Sequence, residues 1–127
     1  MAGLAGIHEM LGGLVIVAFI IMVILAAIAA AGRDMPWLRT ASFIAAGLLA
    51  LQYILGLLLL GGGFRNSTVH YVVGLLVVVP VALQHGSGRR LSEQTRGMAL
   101  IIWSLAAAFL AVIAYLTGMW GVAGATS

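Results

Sequence analysis

Four apolar runs dominate this chain, at 7–31, 37–60, 69–84 and 98–120. A helix needs about 20 mainly apolar residues to cross the hydrocarbon layer of a bilayer. All four runs approach that length, the third by starting a little earlier, near Asn66. The runs predict an all-α integral membrane protein, one domain over 1–127, with transmembrane helices at about 7–31, 37–60, 67–85 and 97–120. Strands of a membrane barrel would alternate with period two, and these runs do not. Only 7 % of the 127 residues are charged and 64 % are hydrophobic. A soluble domain carries about 25 % charged residues, so this chain lacks the polar surface to cover one. Disorder requires low hydrophobicity and is excluded as well. Residues 1–7 carry no basic residue, so the first run is expected to be retained rather than cleaved as a signal peptide.

The gaps between the runs are short, and short connections make neighbouring helices antiparallel. An up-down-up-down bundle is expected. Pro36 suits the first turn of the second helix. The basic residues are six arginines and no lysine. Arg33, Arg39, Arg89, Arg90 and Arg96 lie in or beside the first and third connections, and Arg65 alone lies in the second. The excess places the first and third connections in the cytoplasm and both termini outside the cell membrane. Trp37 and Trp103 then sit near the inner boundary and Trp120 near the outer one. The net charge of +3 rests on too few groups, too scattered, to form a nucleic-acid surface. The chain has no cysteine, which excludes disulfides and thiolate chemistry.

Two of the three histidines stand in matching contexts. His8-Glu-Met-Leu-Gly12 opens the first helix, and His70-Tyr-Val-Val-Gly74 opens the third. Both helices run in the same direction, so both imidazoles fall at a similar depth near the outer face. The first and third helices of a four-helix bundle are diagonal neighbours, whose side chains can meet across its axis. A glycine four residues after a histidine lies one turn along on the same face. It leaves a recess in which a porphyrin ring could lie. Two imidazoles are the usual axial pair of a b-type haem. The expectation is one haem b per chain, ligated by His8 and His70 with Gly12 and Gly74 beneath. Against it stands the ordinary use of histidine as an interfacial anchor and of glycine for close helix packing. What favours the haem is the pairing, since ionisable residues within spans are costly and usually functional.

The remaining polar residues are few. Gln52 lies in the outer half of the second helix, suited to hydrogen-bond a propionate, an imidazole or a lipid, or to join helices. Tyr53 and Tyr115 lie at a similar depth. Arg65, the one basic residue of the outer side, is a counter-charge for propionates. His85 has no partner histidine at the inner end of the first helix and reads as an interfacial residue. Glu9 suits a helix start, and Pro80 is expected to kink the third helix. No acid pair, nucleophile–base pair or phosphate-binding glycine loop is present.

The segment Leu51-Gln-Tyr-Ile-Leu-Gly56, a glycine-containing loop, and then His70 with its aliphatic run resembles the haem A synthase family. That family is built of four-helix halves, each with a histidine at the outer end of its first and third helices. The separation of His8 from His70, sixty-two positions, is similar to that of such a half. The resemblance covers nearly the whole chain, at the level of one half. It implies His8 and His70 as axial ligands. The family's glutamate before the first histidine and its loop cysteine pair have no counterpart here. Three functions are therefore expected in descending order. The first is a cytochrome b-like subunit for electron relay or haem handling in a respiratory or photosynthetic complex. The second is a half-sized synthase-like oxidoreductase working as a homodimer. The third is a cofactor-free structural subunit of a larger membrane complex. All three have the lipid bilayer as a partner, with a second copy or other membrane subunits beside it.

Overall fold

A computed structural model describes residues 2–86 and 93–124, which form helices and their short connections with no strand among them. The helices are α1 (Ala2–Ala30), α2 (Leu38–Gly61), α3 (Thr68–Leu76), α4 (Val78–Gly86) and α5 (Glu93–Gly124). Four segments are long and apolar enough to cross a membrane: Ala2–Ala30, Leu38–Gly61, Thr68–Gly86 and Thr95–Met119. The all-helical class and the number of segments able to span a membrane agree with the expectation. Arg89 and Arg90, and the side chain of Trp120, lie outside the described residues.

The ends of the elements follow from local chemistry. Gly32, at φ +81°, and Gly63, at φ +90°, terminate α1 and α2 in the left-handed conformation that glycine tolerates best. In each case the next residue folds back: Arg33 N–H donates to the Ile28 carbonyl, and Phe64 N–H to the Leu59 carbonyl. This is the Schellman arrangement, which satisfies carbonyls left over at a helix end. Ser67 caps α3, its hydroxyl oxygen accepting the His70 N–H at 3.2 Å. Pro36 falls in the turn before α2 rather than in its first turn, because Leu38 N–H reaches back to the Met35 carbonyl. The third span is two short helices meeting at Val77. Pro80 accounts for the break: it has no N–H for the Leu76 carbonyl, and its ring crowds that group. The first helix starts five residues earlier than expected, so His8 lies nearly two turns inside it.

α1 packs against α2 and α5, and α5 packs against α1, α3 and α4. The core centres on Phe19 and Met22 of α1, with Ala45 and Leu49 of α2, Val77, and Ala107, Ala108 and Ala111 of α5. Small residues on α5 let α1 approach closely, the usual means of helix association where lipid removes a hydrophobic drive. One tight approach is at Gly97, where a Cβ would come within 3.0 Å of Ala30. Large apolar side chains such as Leu57, Leu75 and Phe109 face outward. In water that surface would be a liability; in a bilayer it is the expected exterior. Beside the apolar packing of Leu49 and Val77, polar contacts join α2 to the third span: Tyr53 to the Gly74 carbonyl, and Ser42 to Gln84 and His85.

Candidate functional site

His8, Gln52 and His70 come from α1, α2 and α3 and converge at one end of the bundle. The two imidazole rings lie 6.3 Å apart, centre to centre, with an angle of 74° between their planes. Gln52 Nε2 is 3.3 Å from His8 Nε2. An amide nitrogen donates, so His8 Nε2 accepts, and the ring proton resides on Nδ1. That Nδ1 is buried without a partner, and so is Gln52 Oε1. Both carry an unmet desolvation cost.

His70 is held more firmly. Its Nδ1 lies 2.8 Å from the Ala114 carbonyl. A carbonyl only accepts, so Nδ1 carries a hydrogen, and in the neutral ring Nε2 then keeps its lone pair. This pattern, Nδ1–H on a backbone oxygen, is how ligating histidines are usually oriented. The ring rests on α5, where a Cβ at Gly118 would come within 3.0 Å of both Cε1 and Nδ1. The Asn66 side-chain amide donates to the Gly118 carbonyl at 3.1 Å. Tyr71 OH accepts the Asn66 N–H at 2.8 Å. The connection before α3 is thereby tied to α5, and His70 is fixed from both sides.

The glycines act differently from the expectation. His8 sits not over its own Gly12 but against Gly56 of α2, where a Cβ would be 3.2 Å from Cε1. The space beside Gly12 is taken by Gln52 Nε2 and the Tyr115 ring. Gly74 does face open space, with nothing within 4 Å of a Cβ. Its carbonyl accepts the Tyr53 hydroxyl. Helix geometry places a glycine one turn along but does not say which neighbouring helix fills the gap. Gly118, Asn66 and the Ala114 carbonyl were not singled out by sequence. Nothing local marks Gly118 or Ala114, since their role depends on how α5 packs.

Arg65 is not brought to the histidines. It is exposed, and its Nη1 donates to the Leu60 carbonyl at 2.7 Å and the Phe64 carbonyl at 3.1 Å, closing the end of α2. His85 lies at the opposite end of the third span. It is exposed, with Nε2 3.1 Å from Ser42 Oγ and Nδ1 2.9 Å from the Val81 carbonyl. Among the described residues no group of three or more His, Cys, Asp or Glu side chains could enclose a bare metal ion. A macrocycle that supplies its own in-plane ligands asks for two side chains only.

No family model, curated protein or solved structure matches this chain.

Proposed function

We propose that this protein is a small membrane cytochrome b-like subunit that holds one haem b between His8 and His70. The observation that carries the reading is the ring separation. A metal–imidazole bond is about 2 Å long, and the ring centre lies roughly 1.1 Å beyond the nitrogen, so two imidazoles on opposite sides of one metal have centres about 6 Å apart. The 6.3 Å between His8 and His70 agrees with that spacing. The residues present fit the group in two further respects. His70 presents the tautomer with a free Nε2 lone pair. His8 spends its own lone pair only on a long contact to Gln52, which a stronger Lewis acid would displace.

Haem, when bound, supplies a one-electron redox couple set by its axial ligands and surroundings. The chain's part is to orient and to exclude water. Ala114 fixes the His70 tautomer. Gly56 and Gly118 admit the two rings between helices. Outward-facing leucines and isoleucines keep the site in a low-dielectric setting. In this reading the helices run up-down-up-down in the cell membrane, with both termini and the histidine pair toward the outer face. Arg33, Arg39 and Arg96 then lie on the cytoplasmic side.

A second reading has its own support. The rings meet nearly edge to face, an ordinary arrangement for packed aromatic groups, and this favours a cofactor-free structural subunit. A reduced-minus-oxidised spectrum of the detergent-purified protein, with a pyridine haemochrome assay, separates the two. The expected result is a bis-histidine haem b spectrum at one haem per chain, lost in both His8→Ala and His70→Ala. A folded, colourless protein under haem-replete expression would sink the cytochrome reading and leave the structural one. Recovery of a hydroxylated or formylated haem would point instead to synthase-like activity.

A further inference from the structure

At the end of the bundle opposite the histidine pair, the close contact of Gly97 with Ala30 draws the start of α5 against the end of α1. An open pocket of about 540 Å³ lies beside it, lined by Ala29, Arg33, Asp34, Leu38, Arg96 and Gly97 among others. Arg33 and Asp34 follow the last turn of α1, and Arg96 lies within the first turn of the apolar segment Thr95–Met119. All three charges therefore sit where the apolar spans end, at headgroup depth, with Ala29 and Leu38 on the hydrocarbon side. Trp37 is 71 % exposed nearby, as interfacial tryptophans are.

We infer that this pocket binds the headgroup of a membrane phospholipid that carries both a phosphate and a primary ammonium, as phosphatidylethanolamine does. Two guanidiniums match a phosphodiester, which each can bridge with paired N–H groups. The carboxylate of Asp34 distinguishes the pocket from a simple anion site. It would repel a purely anionic headgroup, and it suits an ammonium that can donate hydrogen bonds. A quaternary choline ammonium has no N–H to give. The acyl chains would continue along the apolar ends of α1 and α5. The inference stands apart from the haem reading, since it uses other residues at the other end of the molecule.

Native mass spectrometry of the purified protein, offered equal amounts of phosphatidylethanolamine, phosphatidylglycerol and phosphatidylcholine, tests it. Phosphatidylethanolamine should be retained about fivefold over phosphatidylcholine, the gain expected from one additional charge-assisted contact near the membrane surface. Arg33→Gln with Arg96→Gln should lower retention of all three lipids at least about tenfold. Asp34→Asn should erase the preference for phosphatidylethanolamine over phosphatidylcholine. Arg39→Gln, which removes a charge lying over the Phe43 ring at 5.7 Å and outside the pocket, should change nothing. Equal melting temperatures of the variants in phosphatidylcholine micelles establish that they are folded. Three results would overturn the assignment: phosphatidylglycerol retained as well as phosphatidylethanolamine, retention untouched by the double arginine variant, or displacement by millimolar glycerophosphoethanolamine, which would make the ligand a soluble phosphate ester.

Discussion

The imidazole of His70 donates from Nδ1 to the Ala114 carbonyl at 2.8 Å, whereas the imidazole of His8, 6.3 Å away, has a buried Nδ1 with no acceptor. The two rings look alike in sequence and are unequal in the fold. Replacing each with alanine should therefore differ in the cofactor-free protein. His70→Ala removes a satisfied hydrogen bond and leaves the Ala114 carbonyl without that donor. His8→Ala removes an unsatisfied donor along with the acceptor of a longer contact from Gln52, at 3.3 Å. His70→Ala is expected to be the more destabilising by about 1 kcal/mol, measured by unfolding in mixed micelles. Equal losses would contradict the asymmetry.

Two glycines near His70 make opposite predictions. A methyl group at Gly118 would meet the His70 ring at 3.0 Å, so Gly118→Ala should push the ring aside and cost about 1–3 kcal/mol. A methyl group at Gly74 meets nothing within 4 Å. Gly74→Ala should leave the cofactor-free protein as stable as before, or more stable by about 0.5–1 kcal/mol through helix propensity. If a macrocycle occupies that open space, Gly74→Ala should also lower haem content. Unchanged haem at one per chain would place the ring elsewhere.

Gln84 is 5 % exposed; its Nε2 donates to Ser42 Oγ at 3.1 Å, and its Oε1 is buried without a donor. Ser42→Ala strands the amide further and should cost about 0.5–2 kcal/mol. Gln84→Leu removes both ends of the problem, so the double variant should recover most of that loss. Thermal melting of the four proteins of the cycle reads the coupling directly.

Tyr53→Phe deletes the hydroxyl that donates to the Gly74 carbonyl, one of the polar contacts between α2 and the third span. Loss of about 0.5–1.5 kcal/mol is expected. Hydrogen exchange should rise in α3 and not in α1. A uniform rise would mean that Tyr53 supports the whole bundle instead.

The spans were legible because bilayer thickness leaves one solution for apolar runs of this length. Pro80 announced a disturbance in the third helix, and the structure places the break at Val77, three residues before the ring. The convergence of His8 and His70 could be anticipated from their matched positions. The surfaces that receive them could not. Gly56 and Gly118 face the rings because of how α1 meets α2 and how α3 meets α5, and a helix rotation of a few tens of degrees would redirect either one. Arg65 lies on the connection where the sequence puts it, and the carbonyls that its guanidinium meets there, those of Leu60 and Phe64, are set by the local fold of that connection.

Each imidazole is seated on a helix other than its own, and no adjacent pair of spans contains both seats. Inserting four such helices into lipid would not by itself bring the two rings together; only their lateral association does. A molecule gripped by both rings would therefore favour the associated arrangement over inserted but separate helices, in proportion to its free concentration. Its colour, if it has one, would report the last stage of assembly rather than the first.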